Sequence, residues 1–319
     1  MSGSVFVFPG QGAQSLGMAA ALVNGYKAGL DVMEEIEEAI SFKLYKLMES
    51  GPLTELTKTE NAQPAIFAAG MVCIRILEKE YGFTLARECK YLAGHSLGEY
   101  TALCASGVFS VSQTARMLRY RGTLMSRALP DGDGMMLALV GVGAAEVEPI
   151  TAAYSHGRNI CVIANDNSPM QVVLSGHKAA VLEVSGKVAN KYKTVKAIPL
   201  NTSAPFHCPL MAQAAIEFDN VLIQEKQQGD FTVPVVMNVT ARPLSKKENI
   251  HDYLIRQITE RVRWRETIEF MINSDEVGKI VEIAPGKILT KIIQRSYPKA
   301  NAFNIETVAQ IEEFVKATQ

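Results

Sequence analysis

The fold of this chain is decided by one stretch, Tyr91-Leu92-Ala93-Gly94-His95-Ser96-Leu97-Gly98-Glu99-Tyr100. Its apolar beginning predicts a buried strand, and its end predicts the start of a helix. Between them the sequence matches G-x-S-x-G, the nucleophile elbow pattern. Glycine is needed two residues before and after the serine, because the strand and helix backbones pass close together there. The stretch therefore predicts that the Ser96 hydroxyl is exposed as a nucleophile.

The same turn predicts a place for negative charge. The N–H of Leu97 follows the serine at a helix N-terminus, where main-chain donors are unpaired and the helix dipole favours an anion. Leu97 is thus expected to supply half of an oxyanion hole. The alternative is a glycine-rich turn with an incidental serine, but the strand before the turn and the helix after it are the context that a nucleophile elbow requires.

Composition bounds the class of protein. The chain has 319 residues, 48% hydrophobic and 20% charged, which suits one large domain or a large domain with a smaller insert. The 32 basic and 33 acidic residues leave a net charge of -1. A chain this close to neutral has no overall field for nucleic acid or a membrane surface, so we expect neither as a partner.

Cysteines and apolar runs indicate the compartment. The five cysteines are an odd number without C-x-x-C spacing, so neither a disulfide framework nor a zinc site is expected. No apolar run approaches the roughly 18 residues of a membrane span, and the first predicted strand begins too near Met1 to leave room for a signal peptide. We expect a cytoplasmic protein in a reducing compartment.

One helix carries an arginine on its apolar face. Ser110-x-x-Gln113 resembles a capping box that opens this helix. Arg121 falls in the middle of a stripe made by Met117, Leu118, Leu124 and Met125. A buried charge without a partner is costly, so Arg121 needs an anion. That anion is either a carboxylate of the chain or, if this helix borders the elbow, an anionic ligand.

A second fold pattern lies inside the chain. Between Met135 and Leu200 the predicted elements follow the order β-α-β-β-α-β, which is typical of a ferredoxin-like unit. We expect this insert to cover residues 132–202, and residues 1–131 and 203–319 to form a larger α/β subdomain with a parallel sheet core. The run Asn165–Pro169 is predicted to be the turn between the two middle strands of the insert.

A nucleophilic serine needs a base, and five histidines are available. His207 is favoured because Pro205 and Pro209 stiffen the chain around it. The other candidates remain open at this stage: His95, His156, His177 and His251. No acidic residue is evident as a third member of a triad. Asp166 has the chain order of an α/β hydrolase but lies in the predicted insert.

Several separated motifs together resemble one family. They are Phe8-Pro9-Gly10-Gln11-Gly12, Gly94-His95-Ser96-Leu97-Gly98-Glu99-Tyr100, Arg121-Gly122, Asn167-Ser168-Pro169, Gln171-Val172-Val173, Phe206-His207, Leu210-Met211 and Val262-Arg263-Trp264. In this order and approximate spacing, the sequence resembles the malonyl-CoA:acyl-carrier-protein transacylases over essentially its whole length. The resemblance implies a hydrolase-like α/β subdomain with a ferredoxin-like insert and an active site in the cleft between them.

The resemblance assigns a role to each matching position. It implies that Ser96 is acylated and that His207 is its general base and acid. The main-chain N–H groups of Gln11 and Leu97 would bind the oxyanion, and Arg121 would hold the free carboxylate of a malonyl group. This last role would give Arg121 the anion that its position on the helix requires.

Further positions are implied around these groups. The main-chain carbonyl of Gln257 would accept the second N–H of the histidine, while Asn167 and Asn238 would lie near the substrate. Phe206 resembles the residue found in malonyl-selecting members, and relatives that take methylmalonyl often have a smaller one. Arg261 departs from the family pattern, which often has proline there, and this puts the loop that presents the Gln257 carbonyl in question.

The function implied is ping-pong transfer of a malonyl group from malonyl-CoA to the phosphopantetheine thiol of acyl carrier protein, supplying extender units for fatty acid synthesis. The coenzyme A thioester and the carrier protein are the expected partners, without a metal or bound cofactor, and a monomer is expected. Two alternatives stay open: a discrete acyltransferase or acyl hydrolase serving a polyketide synthase, and a non-catalytic scaffold that binds carrier protein.

Overall fold

The computed structural model describes residues 3–130, 132–157, 159–247 and 249–318. Asp131, the predicted end of the first segment of the larger subdomain, lies outside the described residues, as do the terminal residues Met1 and Gln319.

Strands and helices alternate along most of the chain. The strands are β1 Gly3–Phe8, β2 Cys89–Gly94, β3 Gly134–Val140, β4 Cys161–Ser168, β5 Gln171–His177, β6 Lys196–Pro199, β7 Val235–Val236, β8 Pro243–Leu244, β9 Val277–Ile283 and β10 Ala302–Ile305. The α-helices are α1 Ala20–Gly25, α2 Lys27–Ile40, α3 Leu44–Ser50, α4 Leu53–Thr57, α5 Thr59–Glu80, α6 Leu85–Glu88, α7 Leu97–Ala105, α8 Val111–Ser126, α9 Ala144–Tyr154, α10 Lys178–Lys191, α11 Ala212–Gln224, α12 Ile250–Thr259, α13 Trp264–Ile272, α14 Ile288–Ser296 and α15 Val308–Lys316.

The first sheet has the strand order β10-β9-β1-β2-β7-β8, and all neighbours are parallel except β7 and β8. In β1, Phe6 and Phe8 pack into one hydrophobic cluster and Val5 and Val7 into another, so both faces are covered. The predicted α/β class with a mainly parallel sheet is therefore confirmed. Since Phe8 pairs with Gly94, the loop after β1 and the turn after β2 leave the sheet side by side.

The second sheet is antiparallel, with the strand order β4-β5-β3-β6. Apolar residues of α9 and α10, including Val147, Val181 and Val184, pack with Leu137 and Leu139 of β3 in a separate hydrophobic cluster. The predicted β-α-β-β-α-β order is confirmed, and this strand order is that of a ferredoxin-like unit. The boundaries of the insert at residues 132–202 stay a prediction.

The turn predicted over Asn165–Pro169 is wrong in its position. Strand β4 continues to Ser168, and the turn contains Pro169 and Met170. The strand extends this far because a segment beyond α12 pairs with its free edge. The N–H of Asp166 donates to the carbonyl of Val262 at 3.0 Å, and the N–H of Val262 donates to the carbonyl of Ala164 at 2.8 Å. These contacts join distant parts of the chain.

Helix α5 contains a proline in its interior. It starts at Thr59 and continues through Pro64, a residue type that usually begins or breaks a helix. Proline leaves the carbonyl four residues earlier without its helical donor. That carbonyl, of Glu60, accepts a hydrogen bond at 2.8 Å from the Nη1 of Arg119 in α8, which lets the helix continue through Pro64. Among the described helices, none is long and apolar enough to cross a membrane.

Candidate active site

The turn after β2 has the backbone geometry of a nucleophile elbow. Ser96 lies between β2 and α7 with φ 53° and ψ -109°, a left-handed conformation that side chains rarely adopt. A Cβ on Gly94 would lie 1.8 Å from the carbonyl carbon of Gly98, and one on Gly98 would lie 2.2 Å from the carbonyl oxygen of Phe8. Both glycines are therefore required by the close approach of the backbones, as the pattern predicts.

Ser96 and His207 form a hydrogen-bonded pair. The Oγ of Ser96 lies 2.7 Å from the Nε2 of His207, and the Nδ1 of His207 lies 2.7 Å from the main-chain carbonyl oxygen of Gln257. A carbonyl only accepts, so Nδ1 carries the proton and Nε2 is free to accept the serine proton. The carbonyl thus orients the imidazole, as a carboxylate does in a Ser-His-Asp triad.

The other histidines do not compete for this position. The Nε2 of His95 lies 2.9 Å from the Oδ1 of Asn167, and its ring packs against Trp264 in a T-shaped arrangement. Among the described residues that line the cavity around Ser96, His95 and His207 are the two histidines present. Asp166 lies beside Arg265 instead of the base, at 3.0 Å.

The environment of His207 favours its neutral form. Burial and the neighbouring Arg121 guanidinium lower the pKa of His207 to about 3, against an ordinary value of 6.5. An imidazole with this pKa is unprotonated at neutral pH, so it is ready to accept the proton of Ser96.

The two predicted oxyanion donors lie at the same edge of the first sheet. Leu97 is the first residue of α7, whose first turn is closed by the N–H groups of Gly98 and Glu99 at 3.0 Å each. The N–H of Leu97 therefore has no acceptor within its own helix. Gln11 lines the same cavity from the loop after β1, and its side chain donates to the Oγ1 of Thr59 at 3.1 Å.

Arg121 is buried against the nucleophile, with 1% of its surface exposed. Its Nη2 donates to the Oγ of Ser96 at 3.1 Å and to the Oε1 of Gln257 at 2.9 Å, and its Nη1 donates to the Oε1 of Gln63 at 2.8 Å. Its Nε has no hydrogen-bond partner among the described residues. All three acceptors are neutral, so in the described chain this guanidinium has no hydrogen-bonded carboxylate partner.

The amide side chains of Asn238 and Gln257 hydrogen-bond to the main chain of the elbow. The Oδ1 of Asn238 accepts the N–H of Ser96 at 2.9 Å, and its Nδ2 donates to the carbonyl of Gly94 at 2.7 Å. Asn238 is fully buried, and these contacts favour a positioning role over the predicted contact with substrate. The Nε2 of Gln257 donates to the carbonyl of Ser96 at 2.9 Å, so Gln257 contacts the nucleophile, the base and Arg121.

Ser96, His207 and Arg121 line one cavity between the two sheets. Phe206 and Asn167 also line it, while Gln257 and Asn238 lie behind its wall. Much of the remaining lining is apolar and is contributed by Met125, Met136, Ala138, Val173, Leu200, Ile288, Leu289 and Ile292. Its polar part includes Gln63, Asn165, Gln171 and Thr202. A largely apolar cavity has at one end a serine, a neutral histidine and a guanidinium whose hydrogen-bond partners in the described chain are uncharged. It can bind and transfer an acyl group that carries an anion.

Sequence reasoning missed two polar residues of this site. Gln63, which accepts from Arg121, is a buried polar residue in a helix whose neighbouring residues are mostly apolar, and that contrast was an available signal. Glu99 lies in the elbow stretch itself and is fully buried. The concern raised by Arg261 does not affect the Gln257 carbonyl, which is in place. Arg261 contacts Glu148 at 2.6 Å and the carbonyl of Ile163. No group of three potential metal ligands occurs among the described residues.

The sequence pattern of the acyl transferase domain matches residues 5–314. The malonyl CoA-acyl carrier protein transacylase of Escherichia coli (strain K12) is 36% identical over 295 residues, which are 92% of this chain and 93% of that protein. The chain belongs to the acyl transferase family. The resemblance to malonyl-CoA:acyl-carrier-protein transacylases drawn from the sequence motifs is confirmed.

Solved structures of related transferases have the same fold. The acyl-carrier-protein-S-malonyltransferase from Bartonella henselae superposes with a TM-score of 0.93 at 41% identity, covering 99% of both chains. A malonyl-transacylase in complex with a type II PKS acyl-carrier protein superposes with a TM-score of 0.91 at 35% identity, covering 99% of this acyl transferase and 100% of that chain. At this similarity the architecture of both sheets is shared over the whole chain.

Proposed function

We propose that this acyl transferase moves a malonyl group from malonyl-CoA to the phosphopantetheine thiol of acyl carrier protein, supplying extender units for fatty acid synthesis. The observation that carries the proposal is the Arg121 guanidinium, which is buried 3.1 Å from the nucleophile and has neutral partners in the described chain. A buried cation in this position is stabilised by an anion on the acyl group, and a malonyl thioester places a carboxylate one methylene from the reacting carbonyl.

In the first half of the reaction, Ser96 attacks the thioester carbonyl while its proton passes to the Nε2 of His207. The N–H groups of Gln11 and Leu97 stabilise the oxyanion that develops. The C–S bond then breaks, His207 returns the proton to the sulfur, and coenzyme A leaves. Arg121 releases the Oγ of Ser96 and pairs with the malonyl carboxylate, which orients the acyl group.

The second half reverses this chemistry. The carrier thiol gives its proton to His207 and its sulfur attacks the malonyl ester on Ser96. The ester C–O bond breaks, and His207 returns the proton to the serine oxygen. Every step uses groups of the chain and of the two substrates, so we propose that no metal or bound cofactor takes part. The known complex of a related transacylase with its acyl-carrier protein supports this choice of acceptor.

The residues that line the cavity indicate which acyl group is preferred. Phe206 is buried beside His207 and lines the cavity, so its ring limits the room next to the α-carbon of the acyl group. We propose that it favours malonyl over methylmalonyl, a difference of one methyl worth about 1 to 3 kcal/mol. Asn167, held by His95, would contact the substrate from the second sheet. We further propose that the protein acts as a cytoplasmic monomer.

The test offers malonyl-CoA and methylmalonyl-CoA separately, each with a holo carrier protein, and follows acyl-enzyme and acyl-carrier by intact mass. We expect a malonyl adduct that is stable for hours without carrier and is discharged when carrier is added. The Ser96→Ala variant is the control and should carry no adduct. Loss of the adduct to water within seconds would indicate a hydrolase, and the absence of any adduct on the wild-type protein would contradict the proposed function.

A further inference from the structure

Glu99 is a carboxylate that the proposed chemistry does not use. It lies in α7, three residues after the nucleophile, and is fully buried. Its Oε1 accepts a hydrogen bond from the Nε2 of Gln257 at 3.1 Å, and its Oε2 accepts the main-chain N–H of Asn238. Both oxygens therefore face donors that belong to residues packed against the elbow. A buried acid with two such partners is costly to maintain unless its contacts serve the site.

The contact with Gln257 determines which way that amide points. Its Nε2 faces three acceptors: the carbonyl of Ser96, the Oε1 of Glu99 and, at 3.4 Å, the Oδ1 of Asn238. Its Oε1 faces the Nη2 of Arg121 at 2.9 Å. A flipped amide would set oxygen against oxygen on one side and donor against donor on the other. Glu99 thus helps to keep the amide oxygen towards the guanidinium.

The same geometry separates two buried ionisable groups, the Arg121 guanidinium and the Glu99 carboxyl, by one amide. Burial raises the pKa of Glu99 to about 8, but both of its oxygens accept from N–H donors, and this arrangement fits the ionised form. Arg121 donates to one end of the Gln257 side chain and Glu99 accepts from the other end. A hydrogen-bonded amide between a cation and an anion is polarised by both, which strengthens each bond in a buried setting. The guanidinium is therefore held without a carboxylate in direct contact, and it remains available to an anion in the cavity.

The second contact reaches the nucleophile. By accepting the N–H of Asn238, Glu99 holds the residue whose Oδ1 accepts the N–H of Ser96 and whose Nδ2 donates to the carbonyl of Gly94. These bonds brace the strained turn on both sides of the serine. One carboxylate therefore supports both the elbow and the arginine, through two different amide residues.

We propose that Glu99 is a positioning residue that acts through Gln257 and Asn238 to hold Arg121 in the orientation that selects an anionic acyl group. The proposal rests on the function proposed above. It differs from a purely electrostatic role, in which Glu99 only opposes the charge of Arg121. In that case removing the carboxylate would strengthen the attraction for a malonyl carboxylate, so the two roles predict changes of opposite sign.

The test compares Glu99→Gln with the wild type, using kcat/KM for acylation by malonyl-CoA and by the uncharged acetyl-CoA. Glutamine keeps the shape but sets an NH₂ group against one of two donors. We expect the malonyl-to-acetyl ratio to fall by about 10- to 100-fold, the change typical of one lost charge-assisted hydrogen bond. Partial unfolding would lower both values and leave the ratio unchanged. An unchanged or increased ratio in folded Glu99→Gln would overturn the proposal.

Two further variants complete the design. Gln257→Leu removes the amide that links Glu99 to Arg121, so in that background Glu99→Gln should lower the malonyl-to-acetyl ratio little further. The remaining contact of Glu99, with Asn238, supports the elbow and should affect both substrates alike. Additive losses in the ratio would count against the mechanism. If Glu99→Gln does not fold, Gln257→Leu carries the test and must itself lower the ratio. The matched control is Glu225→Gln, a mostly buried carboxylate outside the cavity lining that accepts from the Nε and Nη2 of Arg116 and should alter stability without shifting the ratio.

Failure of this proposal can be told apart from failure of the proposed function. A wild-type protein that forms no malonyl adduct would contradict the function itself. A wild-type protein that forms the adduct, with Glu99 variants that keep its selectivity, would contradict the role of Glu99 alone.

Discussion

Two junctions of the molecule each contain an arginine, and the two arginines have different partners. At the junction between β4 and α13, Arg265 contacts the carboxylates of Asp166 at 3.0 Å and Glu269 at 2.7 Å. At the elbow, Arg121 contacts two amide oxygens and the hydroxyl of Ser96, and none of these carries a charge. One arginine is paired with carboxylates, whereas the other has no hydrogen-bonded carboxylate among the described residues.

The different partners of the two arginines indicate different roles: the pair at Arg265 stabilises the fold, and Arg121 serves the reaction. The Arg265 pair joins the second sheet to the larger part of the chain, next to the backbone pairing of Asp166 and Val262. Its charges are matched within the fold, so a ligand would gain nothing by binding there. At Arg121 the described part of the fold provides orientation but no carboxylate in direct contact, so binding an anionic acyl group is favourable. Changes at the elbow should therefore alter the reaction, while changes at the β4 junction should alter stability.

The largest effect is expected from removing the base. His207→Ala leaves Ser96 without a proton acceptor, and acylation by malonyl-CoA should slow by about 10⁴-fold or more. Thermal unfolding is measured alongside to separate lost chemistry from lost folding, because His207 is buried and makes two side-chain hydrogen bonds. Quenched-flow intact mass measures the rate. A variant with near wild-type acylation would remove His207 from the mechanism and weaken the contrast between the two junctions.

At the junction between β4 and α13, a moderate effect is expected on stability and none on the selectivity of acylation. Asp166→Asn removes the buried charge that faces Arg265 and should lower the free energy of unfolding by about 1 to 3 kcal/mol. The malonyl-to-acetyl ratio of acylation should stay at its wild-type value. Urea unfolding and the acylation assay on the same preparation provide both numbers. A changed ratio with unchanged stability would show that the two junctions are not separate in function.

The smallest effect is expected from mild acid. Because burial and Arg121 lower the pKa of His207 to about 3, acylation by saturating malonyl-CoA should remain constant between about pH 7.5 and 5.5. An unperturbed histidine would instead cause a loss centred near its ordinary pKa of 6.5. A pH–rate profile of acylation distinguishes the two. An inflection near pH 6.5 that disappears in His207→Ala would contradict the neutral, buried base.

The lowered pKa of His207 also makes the free energy of unfolding depend on pH. In the unfolded chain His207 binds a proton as the pH falls below about 6.5, while in the folded protein it stays neutral until about pH 3. The unfolded state therefore binds more protons across this window, and His207 makes the protein less stable by about 1.4 kcal/mol for each pH unit of descent.

Local patterns in the sequence were enough to predict much of this molecule. The elbow follows from five residues whose backbones must pass closely, and the β-α-β-β-α-β order of the second sheet follows from periodicity alone. The stripe on α8 correctly predicted that Arg121 is buried and is not free in solvent. Each of these features depends on neighbours within a few residues or turns.

The features that sequence reasoning missed depend on residues far apart in the chain. Arg121 meets Gln63 and Gln257 across 58 and 136 positions, so no local pattern could show that its partners are neutral. The polar run at Asn165–Ser168 has turn composition, yet pairing with Val262 keeps it in a strand. Long-range contacts decided these points, and they became visible only in the folded structure.

The central claim is that Arg121 is held without an anion so that it can bind the carboxylate of the acyl group, and a competition measures this directly. Wild-type protein and Arg121→Ala are each mixed with equal concentrations of malonyl-CoA and acetyl-CoA, and the adduct on Ser96 is read by intact mass before any carrier is added. The account predicts a malonyl adduct on the wild type and a predominantly acetyl adduct on the variant. Malonyl adduct in equal excess on both proteins would contradict it.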